Sequence, residues 1–167
     1  MNIALVTTNR KCRIETFVKR HYDLMEGRVT LYYDGRPSRR NDVEGRFGYR
    51  QPEYYLEKII AKLGVKCSAE IRSLSRSLHK QKIDICYAEF GPSGIGVMPA
   101  CKILNIPLIV NFHGHDIYAK KTVAKNLQAY RQLFKTAIFV VGVSTLMCKE
   151  LAHLGCPEKK MQYMPCG

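Results

Sequence analysis

The sequence predicts an α/β fold, a Rossmann-like parallel sheet with helices on both faces. Three observations carry this expectation. Short, continuously apolar runs recur along the 167 residues, as strands buried on both faces require. Between them lie segments whose apolar residues keep helical spacing. The two kinds of segment alternate, which is the pattern of βαβ units.

In chain order, NIALVTT (2–8) is the first strand and NRKCR the loop after it. IETFVKRHYDLM suits a helix with Phe17, Val18, His21 and Tyr22 toward one side. RVTLYY, β-branched and aromatic, is the second strand, and DGRP turns the chain. From Asp34 to Pro52 the chain is basic, contains glycine and lacks periodicity, so a long functional loop is expected there. Leu56, Ile59, Ile60 and Leu63 keep the spacing of a core-facing helix that Gly64 ends, and Ile71, Leu74 and Leu78 mark another. IDICYAEF (83–90) is a strand, GPSGIGVMPACKILN a turn and helix, and IPLIVNFH (106–113) the next strand. Val123, Leu127, Tyr130 and Phe134 fall at helical spacing, followed by the strand AIFVVGVS (137–144) and the helix TLMCKELAHLG. The stretch 161–167 reads as a last short strand running into a linker.

Composition bounds the function. The chain is 46% hydrophobic and 25% charged, ordinary for one globular domain, and no apolar run approaches the roughly 20 residues of a membrane span. Seven cysteines at scattered positions, with no CxxC pair, read as reduced thiols of a cytoplasmic protein. Lys and Arg total 27 against 14 acids, a net charge of +13. After Asp116 no acid recurs until Glu150, while Lys120, Lys121, Lys125, Arg131, Lys135 and Lys149 fall between them. Such an excess predicts an anionic partner: a phosphorylated ligand, an acidic membrane surface or nucleic acid. Aromatic residues are not interleaved with the basic ones on a strand, so a nucleic-acid stacking platform is not expected. A basic nucleic-acid-binding domain without catalysis, with Arg36, Arg39, Arg40, Arg46 and Arg50 on phosphates, is the rival reading.

Open α/β sheets bind ligands beyond the carboxyl ends of their strands. Thr8 to Arg13, Glu89 to Ser93, His113 to Asp116, and Ser144 all lie at such ends. The stretch NFHGHDI supports three readings: a metal site of His113, His115 and Asp116, a sugar-binding edge, or a polar cap on the next helix. A metal-dependent hydrolase would use the first, but no companion ligand cluster exists, since His21, His79 and His153 fall in helical segments. GPSGIG is not a dinucleotide fingerprint. Its glycines suit a tight turn and close helix packing, and the amides starting at Gly91 offer a place for an anion. Ser144 lacks the G-x-S-x-G setting of a nucleophile and suits a helix N-cap.

Three stretches, in order, resemble the first half of a GT-B-type retaining glycosyltransferase of family 4 (group 1). IETFVKRH is similar to that family's SETF(I/V) segment. CYAEFGPSGIGVMPACKILNIPLIVNFHGHDI is similar to its HAHFG…HG.D run, and VVGVSTLMCKELAHLGCPEKKMQYMPCG to its VS…G.P..K…P.G segment. Ile14 stands where serine is frequent, the first loop lacks a glycine pair, and Glu89 replaces a frequent histidine.

The resemblance implies sugar transfer from a nucleotide-diphosphate donor to a hydroxyl, with retention through an oxocarbenium-like transition state and without an essential metal or cofactor. It implies that His113 faces the donor sugar or reacting hydroxyl and that Asp116 orients the loop or hydrogen-bonds the hydroxyl. Gly114 lets the backbone approach, and His115 is secondary. Asn9, Arg13 and Thr16 line the cleft, Gly91 meets the ligand at its helix start, and Ser144 caps the helix facing the cleft. The expected acceptor is a glycan or an anionic lipid-linked sugar at the inner face of the cell membrane, in polysaccharide or cell-envelope biosynthesis. Residues 1–167 are expected to be the acceptor-side domain, inactive alone. The donor-binding domain with its Glu-x7-Glu motif would follow Gly167, and the Glu150 and Glu158 spacing is read as chance.

Overall fold

The computed structural model describes residues 1–9, 16–47 and 68–165. Arg13 and the helix expected around residues 56–63 lie outside them. The chain begins with β1 (Asn2–Val6), α1 (Thr16–Leu24) and β2 (Arg28–Tyr33), then two short strands, β3 (Arg40–Asn41) and β4 (Gly45–Arg46). Next come α2 (Ala69–Lys80), β5 (Ile85–Glu89), α3 (Gly91–Leu104) and β6 (Leu108–Phe112). A short α4 (Gly114–Tyr118) and a long α5 (Lys120–Thr136) follow, then β7 (Phe139–Gly142), α6 (Thr145–His153), a 3-10 turn (Glu158–Lys160) and β8 (Met161–Tyr163).

The strands form one sheet in the order β4-β3-β2-β1-β5-β6-β7-β8. From β2 to β8 all pairings are parallel. The chain leaves β1 toward β2 and later returns to place β5 on the other side of β1. This reversal is a topological switch point, where open α/β sheets leave a crevice.

Strand alternation divides the core between the two faces. Ala4 and Val6 join Ala88, Val110 and Phe112 in the larger cluster, with Leu74, Val97, Tyr130 and Leu151 from four helices. Leu5 points the other way and meets Val18 of α1 and Leu31. The sheet therefore carries helices on both faces, as expected. The GPSGIG glycines allow close packing: a Cβ at Gly94 would lie 2.9 Å from Val110, and one at Gly91 would lie 2.5 Å from the Phe112 ring.

One expectation needs correcting. The basic segment from Asp34 is not all loop, because β3 and β4 form a hairpin that extends the sheet antiparallel to β2. The Asn41 side chain makes the turn, its Oδ1 accepting from the amides of Val43 at 3.0 Å and Glu44 at 2.6 Å. Such a local side-chain turn carries no apolar periodicity. Residues 48–52 of that segment lie outside the described residues.

Candidate functional site

The register of the parallel strands assembles the site. Glu89, the last residue of β5, stands opposite Asn111 of β6. Side chains two apart on a strand share a face, so Asn111 and His113 both project to the side of Glu89. That face is the one α1 covers, and α1 brings His21 and Phe17 to the same place.

The result is a buried carboxylate shared by two imidazoles. Glu89 has no exposed surface. Its Oε2 accepts from His113 Nε2 at 2.8 Å and from Asn111 Nδ2 at 3.1 Å, and its Oε1 pairs with His21 Nδ1. Burial alone would raise the Glu89 pKa. The hydrogen bonds from His113 and His21 outweigh burial and hold the carboxyl below its ordinary value. The same bond to Glu89 lifts the His21 pKa above 6.5.

Aromatic rings hold His113 in place. Phe17 and Phe90 lie 4.5 and 4.6 Å from its ring centre. Phe90 has φ 75°, a conformation few non-glycine residues adopt. Its amide donates to Asn111 O at 2.8 Å, and its own carbonyl accepts from Ser93 and Gly94. Strain of this kind, of order 1–3 kcal/mol, gathers at functional sites.

Asp116 serves the backbone. Its Oδ2 accepts from the amides of Gly91 at 2.9 Å and His113 at 3.2 Å, joining the loops after β5 and β6. Burial raises its pKa despite those bonds. The Gly91 amide is thereby occupied by a protein carboxylate, and Pro92 offers no N–H.

Beside these loops lies a cleft of about 590 Å³. Asn9, His115, Asp116 and Phe90 line it together with Arg36, Lys121 and Lys125. Arg36 is held there by Asn126, whose Oδ1 accepts from Nη1 at 2.9 Å and which is itself 4% exposed. No helix among the described residues is long and apolar enough to cross a membrane.

Of the residues expected at the site, Asn9, His115 and Asp116 share this cleft, and His113 packs against its Phe90 wall. Gly114 is exposed, and a Cβ there would meet only Tyr118, at 3.7 Å. Thr16 begins α1 with its side chain exposed. Ser144 caps α6 by accepting from the Met147 amide at 3.1 Å. His113 ends its strand as the N-cap of α4, so the extended geometry that would aim His113 and His115 together is absent. Among the described residues no group of three or more His, Cys, Asp or Glu could hold a metal ion. His21 and Asn111 lie within the stretches IETFVKRH and NFHGHDI but were not expected at the site. The signal that could have found them is Glu89 itself, a carboxylate ending an apolar strand that must find buried donors.

A Rossmann-like sheet with its loops gathered beyond the carboxyl edge defines the class of open α/β ligand-binding domains, and the comparisons narrow that class. The Glycosyltransferase Family 4 model matches residues 18–167, and the chain belongs to that family. WcaL of Salmonella typhimurium strain LT2, named for glycosyl transfer in colanic acid biosynthesis, is 29% identical over 80 residues. That stretch is 47% of this chain and 20% of the relative. WcaL of Escherichia coli K12 is 29% identical over 85 residues, 48% of this chain and again 20% of the relative. The matched region thus spans far less than the relatives' length.

Among solved structures, Anabaena Alr3699/HepE in complex with UDP-glucose superposes with a TM-score of 0.66 at 16% identity. The match covers all of this chain and 44% of that one. UDP-GlcNAc 2-epimerase from Neisseria meningitidis, bound to UDP-GlcNAc, gives 0.60 at 12% identity, over 98% of this chain and 45% of that one. These likenesses establish the GT-B, Rossmann-like fold.

Proposed function

We propose that this chain is the acceptor-side domain of a retaining glycosyltransferase that moves a sugar from a nucleotide-diphosphate donor to a hydroxyl in polysaccharide or cell-envelope biosynthesis. The observation that carries the reading is His113, fixed at the carboxyl edge of the sheet by a buried carboxylate and two rings. A group held this rigidly needs no reorganisation when charge develops, which makes a fixed dipole or proton donor effective. In this reading His113 meets the donor sugar or the reacting hydroxyl as the anomeric carbon becomes oxocarbenium-like. Asp116 keeps that loop in register with the start of α3. A second domain after Gly167 supplies the nucleotide site, so residues 1–167 alone do not turn over donor.

The test is His113→Ala in the full-length gene product, assayed against a panel of nucleotide-diphosphate sugars. Turnover should fall about 100-fold or more, the scale of losing one preorganised group, and the product should keep the donor's anomeric configuration. Turnover within twofold of the parent, or an inverted product, would overturn the reading.

The cations of the cleft support an anionic, lipid-linked acceptor handled at the inner face of the membrane. Each basic residue near an acidic surface is worth about 1 kcal/mol. Lys121→Gln with Lys125→Gln should weaken binding to acidic vesicles about 30-fold, read by sedimentation. Binding that ignores lipid charge and salt would sink this part.

A further inference from the structure

We propose that Glu89 is a positioning residue for His113 and that His21 is its second anchor, so that α1 takes part in setting the reaction site. The inference rests on the reading of His113 given above and extends it to what Glu89 and His21 do for that residue.

The geometry carries it. Each Glu89 oxygen has its own imidazole: Oε2 takes His113 Nε2 at 2.8 Å and Oε1 takes His21 Nδ1. An ionised carboxylate only accepts hydrogen bonds, so both of those ring nitrogens carry protons. Glu89 therefore chooses the tautomer of His113, and the rings of Phe17 and Phe90 set its plane. Asn111 Nδ2, on the neighbouring strand β6, adds a third donor at 3.1 Å.

A purely structural role explains this arrangement poorly. A well-packed apolar residue at the end of β5 would avoid the desolvation of a buried charge altogether. Two histidines, 68 and 24 positions away in sequence, would then be unnecessary. What the carboxylate adds is a defined tautomer and orientation for His113. Through His21, the charge on that carboxylate depends on the seating of α1.

Among the described residues, the charged and titratable groups around this hydrogen-bonded series are few. Arg20 lies next to His21 and opposes its protonation, while Glu89 favours it. The Tyr87 ring stands edge-on to His21, with centroids 5.8 Å apart. Asp116 and His115 are the groups near His113 on its own loop, and the Asp116 carboxylate is turned to the Gly91 and His113 amides. The lowered pKa of Glu89 and the raised pKa of His21 accord with a charged pair.

The experiment uses the full-length gene product with Glu89→Gln and His21→Gln, and His113→Ala as reference. Imidazole ¹⁵N spectra report which nitrogen of His113 is protonated. Turnover of UDP-glucose, the probe donor, is followed against pH. Glu89→Gln should lose the single Nε2-protonated signature of His113 and lower kcat at least about tenfold, with donor KM little changed. Losses of that order follow removal of a partner that orients a histidine. His21→Gln should keep the His113 signature but move the acid limb of the kcat profile to higher pH, because Glu89 then loses a cationic partner.

An unchanged His113 spectrum with kcat within twofold in Glu89→Gln would overturn the proposal, whatever happens to thermal stability. If Glu89→Gln does not fold, His21→Gln decides, and an unmoved acid limb would overturn it. Where UDP-glucose is not turned over, the imidazole spectra of the two variants decide alone. His113→Ala with full turnover would instead defeat the functional reading, leaving the spectra to report on positioning alone.

Discussion

Two carboxylates with little or no exposure stand on the two sides of β1, and they are partnered in opposite ways. Glu44, beside the β3–β4 hairpin, accepts from Lys80 Nζ at 2.8 Å, Ser77 Oγ at 2.5 Å and Asn41 Nδ2 at 2.9 Å. Burial works against its charge, but these bonds prevail and bring its pKa down to about 2. Its donors are a lysine ammonium, a hydroxyl and an amide. Glu89 is instead partnered by two histidines, the side-chain type whose charge changes most readily near neutral pH. The same device, a carboxylate with satisfied oxygens, thus gives a fixed staple at the hairpin and a responsive one at the switch point.

Exchanging charge for shape at Glu44 gives the largest expected separation. Glu44→Gln keeps the volume but loses the charge-assisted bond to Lys80 and presents a donor where Ser77 and Asn41 also donate. It should lower stability by about 1–2 kcal/mol, read as a drop in the denaturation midpoint, with donor turnover unchanged. A fall in turnover comparable to that of Glu89→Gln would erase the contrast between the two sites.

The contrast also explains what the sequence could reveal. The order of strands and helices was legible because apolar runs and helical spacing are local signals. His113 to Asp116 were legible too, as polar residues directly after an apolar run at a strand's carboxyl end. The hairpin was not, because its two-residue strands are held by the Asn41 side chain and not by an apolar pattern. The pairing of His21 with Glu89 spans 68 positions and exists only once α1 has packed on the sheet. The sequence places Glu89 at a strand's carboxyl end and as a departure from a family pattern but does not name its partners, although its charge at the end of ICYAE already required buried donors. Phe90 gave no warning either, since its left-handed φ of 75° is a conformation that sequence assigns to glycine. Arg36 was read as part of a basic loop, and only the fold sets it against Asn126 in the cleft.

The smallest expected effect separates the two sites by pH. A histidine whose folded pKa is raised contributes stability that is complete below its unfolded value, 6.5 for His21, and that is lost as pH rises through the folded value. A carboxylate whose folded pKa is lowered contributes stability present above its unfolded value, 4.5 for both glutamates, and lost as pH falls through the folded one. The Glu89 pair should therefore stabilise the fold fully between 4.5 and 6.5 and weaken on both sides, whereas the Glu44 staple weakens only on the acid side, toward about pH 2. Because the His21 side chain is 23% exposed, solvent screens its share and the alkaline loss should be smaller than the Glu44→Gln effect. Denaturation midpoints between about pH 5 and about pH 9, compared for the parent and His21→Gln, isolate it. The parent should lose stability on the alkaline side with a slope that His21→Gln lacks, and equal slopes would mean that the second imidazole adds no charge to the site.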